Sequence, residues 1–232
     1  MKVQTFIRTW VSQCKDPSAS TFLFLLLTID VVLVFLHFLL VTPFFNNLLF
    51  NIENDSGYPE FYQYIKELWI ALLLVLVLVK TRMLGLAVWA LLFLYLLFDD
   101  ALQLHERIGG HLVTQFGFTP LWGLRAQDFG ELAVSAIAGS TLVVLLALFY
   151  FQGQAAFKQI TRHLFLFLIA IAFFGIFIDM LHVALDVRWR ITFLLGVLED
   201  GGEMLVMSLI AWYVFLLHLR NGDIGITLRP PT

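Results

Sequence analysis

Six apolar stretches, each of a length that crosses the hydrocarbon of a bilayer as a helix, follow one another along this chain. They cover 21–41, 67–83, 84–106, 128–151, 164–187 and 191–219. In lipid such a segment can satisfy its backbone polar groups only as a helix or inside a closed barrel, and runs this long and continuous point to helices. The expected fold is therefore all-α: an integral membrane bundle of six transmembrane helices, forming one domain over 1–232. With 60% of residues hydrophobic and 13% charged, disorder is excluded. Residues 1–20 place Lys2, Arg8 and Lys15 between Phe6, Ile7 and Trp10, as a short interfacial helix ended by Asp16-Pro17 would. A net charge of −3 argues against nucleic acid as a partner, and the lone Cys14 excludes a disulfide framework or thiolate metal cluster.

Six spans put both termini on one side. Lys2, Arg8, Lys15, Lys80, Arg82, Lys158, Arg162, Arg220 and Arg229 fall on that side, which the positive-inside rule assigns to the cytoplasm. The second span is apolar all round and is expected to face lipid at the periphery. The segments 44–66, 109–126 and 152–163 are expected to be loops.

The third span ends without a turn signal in Asp99-Asp100-Ala101-Leu102-Gln103-Leu104-His105-Glu106. Ionisable groups at such depth are costly unless paired or bound to something. At about 1.5 Å of rise per residue, His37, Asp99, Glu106, Glu131, Asp179, His182, Asp186, Glu199 and Glu203 fall in the outer half, with Asp30 near the midplane. Ideal helical phase puts Asp99, Gln103 and Glu106 on one face, and Asp179, His182 and Asp186 on another. Glu199 and Glu203 stack, as do Gln127, Glu131 and Ser135; Asp100 and His105 point elsewhere. Arg107 is the expected partner of Asp100, and Arg188 or Arg190 that of Asp186. No Lys or Arg is expected at the depth of Asp179 or Glu203.

Crowded carboxylates without cations require protonation, water or bound metal. Carboxylate and imidazole in this ratio suit iron, manganese or zinc. The expected ligands are Asp99, Glu106, Glu131, Asp179, His182, Glu199 and Glu203, with Asp30, His37, Asp100, His105 and Asp186 as secondary candidates. Asp179-x-x-His182 has the acid-x-x-His step of helical di-iron sites, though a second such step is absent. One or two divalent metals there would serve hydrolysis, or iron-dependent oxidation, of a lipid-soluble substrate, with a leftover carboxylate as general base. No catalytic residue is singled out. A transporter using the same carboxylates is the second possibility, opposed by the lack of ionisable residues in the inner half. A structural or assembly subunit is the third.

Asp99-Asp100-x4-His105-Glu106, together with Glu199-Asp200-x-x-Glu203, resembles a loose group of uncharacterised bacterial multi-pass membrane proteins of about six spans. The resemblance implies a bacterial inner-membrane location and carries no activity; with the topology above, the site would open to the periplasm. The alkaline ceramidase and adiponectin-receptor superfamily also buries Asp and His near one membrane face. Its seven spans and His-x-x-x-His step are missing here.

Overall fold

The computed structural model describes residues 16–184 and 189–222, and among these the chain is all-α, with no strand. The interfacial helix expected over 1–20 lies almost wholly outside the described residues, as do Asp186 and Arg188. Helix α1 (Pro17–Leu39) starts where the Asp16 side chain accepts from the Ser18 and Ala19 amides, with Pro17 pre-set in the first turn. Helix α2 spans Tyr58–Thr81, after Gly57 and with Pro59 in its first turn. It therefore begins well before 67 and takes up nine of the 23 residues of the expected loop 44–66. Helices α3 (Leu86–Leu102) and α4 (Leu104–Phe116) meet at a 72° bend. That bend ends the continuous third span expected to 106, and α4 fills much of the expected loop 109–126.

Helix α5 (Ala126–Gln152) opens with a capping box in which Asp128 accepts from the Arg125 amide. Helix α6 (Ala155–Ala172) runs into a π-helical segment, Phe173–Ile178, and then α7 (Asp179–Ala184). The fifth apolar helix thus starts at 155 instead of 164, and His163 lies inside it. Helix α8 (Trp189–Leu219) matches its expected bounds closely.

Contacts at the helix ends show that the elements alternate in direction. At one end Lys80 of α2 meets His218 of α8 (3.4 Å), and Trp89 near the start of α3 donates to Thr161 near the start of α6 (3.3 Å). At the other, Gln103 donates to Asp55 (3.0 Å) and His182 of α7 meets Glu199 of α8 (3.0 Å). There α4 and α5 cross with Gly109 and Gly130 in backbone contact, an approach that a Cβ on either residue would block.

The core forms around α8, whose Met207, Ile210, Ala211, Trp212, Tyr213, Val214 and Leu217 are all buried. Against it α2 turns Ile70, Ala71, Leu74 and Val77, spaced at helical period, together with Gln63, Lys66 and Glu67. The expectation of a peripheral, lipid-facing second helix is overturned: only its opposite face is exposed. Helices α1, α5, α6–α7 and α8 are long and apolar enough to cross a membrane, and the bent pair α3–α4 makes a fifth if counted as one span.

Candidate functional site

The site starts at the α3–α4 bend. Gln103 adopts the left-handed conformation (φ 51°), which ends α3 and costs an L-residue about 1–2 kcal/mol. Its side-chain amide is anchored on Asp55. The break lets Asp99 turn back on α4: its Oδ1 accepts the His105 backbone N–H (2.9 Å) and its Oδ2 lies 3.2 Å from His105 Nδ1. Asp99, Asp100 and His105 consequently offer ligand atoms that all lie within 4.8 Å of one another. No other such group of three occurs among the described residues.

This geometry corrects three expectations. Asp99, Gln103 and Glu106 do not share a face, because ideal helical phase stops at Gln103. Asp100 and His105 belong with Asp99 instead of pointing elsewhere. Arg107 is exposed and makes no ion pair with Asp100, whose carboxyl faces that of Glu67. Glu106 sits at the edge of the cluster, and its backbone carbonyl accepts from Gln127 Nε2 (2.8 Å). The same Nε2 donates to Glu131 Oε1 (2.9 Å), the stacking that the sequence spacing predicts.

Helix α2 supplies the cation that the sequence reading lacks. Lys66 is 0% exposed; its Nζ donates to Asp30 Oδ1 (3.2 Å), Met204 O (2.8 Å) and Ser208 Oγ (3.4 Å), and lies over the Tyr62 ring. Ser208 Oγ donates to the other Asp30 oxygen (2.6 Å). The sequence hides Lys66 because the unbroken apolar run of this helix starts only after it. The signal was present: Gly57 followed by Pro59 marks a helix start, and Gln63, Lys66, Glu67, Ile70 and Leu74 keep helical period. Asp30 and His37 do not pair with each other. His37 Nδ1 accepts the Ile52 amide (3.3 Å) and its ring stacks on Phe193, so it tethers the first loop.

Helices α6–α7 and α8 close the other side. The π-helical segment sets Gly175 against Glu203 so closely that a Cβ there would overlap the carboxylate. Glu203 lies in the electrostatic reach of Lys66, Asp100, Asp179, Glu199 and His105. His182 Nδ1 contacts Glu199 Oε2 at 3.0 Å. Glu53, in the loop before α2, packs on Gly196 and faces His182; burial pushes its carboxyl up, and His182 acts in the opposite sense. Asp179 is half-buried and faces Asp128, Glu131 and His182. Asp128, 1% exposed, is held by Arg125 Nη2 at 2.6 Å and Nε at 2.9 Å.

The structure thus gathers Asp99, Glu131, Asp179, His182, Glu199 and Glu203 toward one end of the bundle, with Glu106 at the rim. It adds Lys66, Glu67, Glu53 and Ser208, which the spacing alone did not select. The acids outnumber the cations. Lys66 and Arg125 are committed to Asp30 and Asp128, and among the described residues Asp99 and Asp100 make no ion pair with a Lys or Arg. Such a cluster can hold a shared proton or bind a hard cation.

A family model described as a domain of unknown function (DUF8692) matches residues 25–219. No curated protein and no solved structure matches the chain.

Proposed function

This chain belongs to the DUF8692 family, and we propose that it is a six-span membrane protein binding one or two divalent metals for chemistry on a lipid-soluble substrate. The sixth span is α2, whose 24 residues reach about 36 Å and which packs among the apolar helices. Lys80, Arg82, Lys158 and Arg162 lie at the end opposite the acidic layer, which assigns that end to the cytoplasm. The acidic layer then occupies the outer half, opening to the periplasm of a bacterial inner membrane.

The observation that carries the metal assignment is the Asp99–Asp100–His105 group, whose ligand atoms are mutually within 4.8 Å. Its donors fit iron, manganese or zinc. His182 and Glu199, with Asp179 and Glu203 nearby, form the candidate place for a second ion. A metal bound at these residues supplies Lewis-acid activation of water or, if it is iron, redox chemistry. The chain's own part is to orient its ligands: the Asp99 contact holds the His105 ring, and Gln127 holds Glu131. A carboxylate left outside the ligand set, Glu131 or Glu203, serves as general base. A lipid-soluble substrate is the class that reaches a layer enclosed by helices with apolar outer faces.

Metal analysis of the purified chain tests this. Stoichiometric iron, manganese or zinc, lost in His105→Ala and in Asp100→Asn, is expected. Chelator-free preparations that are folded and carry no metal would sink the proposal.

One observation favours a second reading, an ion- or proton-coupled transporter. Polar groups continue beyond Asp30: His163 Nδ1 and Tyr213 Oη are 2.9 Å apart in the opposite half, both buried. That reading predicts gradient-driven proton uptake in proteoliposomes that Asp30→Asn abolishes while bound metal, if present, stays.

A further inference from the structure

At the end of the bundle away from the acidic layer, the turn between α5 and α6 presents two cations with no acid to meet them. Lys158 and Arg162 lie four residues apart on α6, on one face, and neither is buried. Arg162 Nε donates to Tyr150 Oη (2.9 Å); Lys158 Nζ donates to the Phe151 carbonyl (3.4 Å) and lies 5.8 Å from the centre of the Tyr150 ring. The sequence has no Asp or Glu between Glu131 and Asp179, nor between Glu67 and Asp99. Neither α6, the later part of α5 nor α3 as far as Phe98 therefore offers a counter-charge, and among the described residues neither cation makes an ion pair. Beside them α5 and α6 leave a cleft of about 190 Å³, lined by Val143, Leu146, Ala147, Tyr150, Thr161 and Phe165. The Thr161 hydroxyl is engaged by Trp89 Nε1 (3.3 Å), so the wall presents apolar surface. Phe157 locks the turn, its ring filling the space that a Cβ on Gly85 or Gly153 would need.

We infer that this cleft binds an anionic phospholipid, with its phosphate on Lys158 and Arg162 and one acyl chain between α5 and α6. From Tyr150 to Val143, α5 runs about 10 Å away from the basic turn. The cleft follows it toward the middle of the bundle, as an acyl chain hangs from its phosphate. Both helices are long and apolar enough to cross a membrane, and Val143 and Phe165 are exposed, so the cleft opens to the side where lipid is the solvent. A guanidinium matches phosphate oxygens as a planar fork, and an ammonium adds a point charge. Basic pockets between transmembrane helices hold anionic headgroups in this way, and a tyrosine at headgroup depth is the usual companion. A zwitterionic lipid fills the apolar wall equally well, but sets its own cation against Lys158 and Arg162. The site lies at the opposite end of the bundle from the proposed metal ligands and stands without them.

The test uses the full chain, delipidated in a non-ionic detergent and titrated with phosphatidylglycerol or with phosphatidylcholine of the same acyl chains, with bound lipid counted by native mass spectrometry. One phosphatidylglycerol is expected to bind about 25-fold more tightly than phosphatidylcholine, roughly a factor of five for each cation. Lys158→Gln with Arg162→Gln is expected to erase that preference and leave phosphatidylcholine binding unchanged. Lys80→Gln with Arg82→Gln removes the same charge from the same end, outside the cleft, and is expected to keep the preference. Ala147→Phe fills the cleft and is expected to weaken both lipids. Equal affinity for the two lipids overturns the inference, and so does an equal loss in the two charge variants, which marks diffuse surface attraction. Wild-type lipid binding by Ala147→Phe places the acyl chain elsewhere and overturns it too. If glycerol 3-phosphate displaces the lipid, the cations hold a free phosphate and the lipid assignment falls. A dimer in the same spectra that Ala147→Phe abolishes gives the cleft to a second copy of the chain instead. Should the double charge variant not fold, Lys158→Gln and Arg162→Gln are read singly, each expected to lower the preference about fivefold; no change in either overturns the assignment.

Discussion

Lys66 and Glu67 are adjacent in α2, yet they anchor two buried clusters of opposite balance. Around Lys66 each ammonium donor has an acceptor, and Asp30 receives both a lysine and a serine. Around Glu67 the acids exceed the cations, and a carboxylate oxygen is left without a partner. The first cluster is complete as built and needs nothing from outside the chain. The second is incomplete, and its chemistry calls for a proton or a metal. A buried charge therefore points to a ligand only when the fold leaves it unbalanced.

The largest effect should come from breaking the balanced cluster. Lys66→Met leaves Asp30 buried without its cation and is expected to cost about 3–5 kcal/mol, read from denaturant unfolding in micelles. Adding Asp30→Asn should recover most of that loss. If the double variant is no more stable than Lys66→Met, the pair is not the self-contained unit described here.

Gly175→Ala tests the wall between the clusters. The new methyl group must push aside the Glu203 carboxylate or the π-helical turn, and overpacking of this kind costs about 1–3 kcal/mol. Unchanged thermal stability would mean that the π segment does not clamp Glu203.

In the unbalanced cluster the sign should reverse. Without metal, Glu67→Gln removes an excess buried carboxylate and is expected to leave stability unchanged or raise it by about 1 kcal/mol. A loss comparable to that of Lys66→Met, measured in parallel, would erase the distinction between the two regions.

The smallest effect belongs to Arg107→Ala. Because this exposed arginine pairs with no acid among the described residues, stability should stay within about 0.5 kcal/mol of the wild type. A larger loss would restore the Asp100–Arg107 pairing that the spacing suggests.

Helices α5 and α8 were legible almost to the residue, because their apolar runs are long and their ends carry capping or charged residues. The Glu199–Glu203 spacing was readable for the same reason: α8 is unbroken through it. Helix α2 was misread because its first turns carry Lys66 and Glu67, and composition along the chain cannot distinguish polar residues that face solvent from polar residues that face a buried partner. The stretch from Asp99 to Glu106 failed differently. Its residues were noticed, but phase extrapolated through Gln103 separated Asp100 and His105 from Asp99, and a left-handed residue brings them together. His163 falls in the expected loop 152–163 because the polar start of α6 hides its helix.

The sequence alone determined that the chain is all-α, that several of its helices suit a membrane, and that its acids crowd toward one end of the bundle. Those properties follow from composition and order along the chain. Which acid meets a cation was decided only in three dimensions. Successive residues on a helix project about 100° apart, so Lys66 turns to Asp30 of α1 and Ser208 of α8 while Glu67 turns to Asp100 of α3. The partner of a buried charge is set by the neighbouring helix it faces, and position along the chain does not record that.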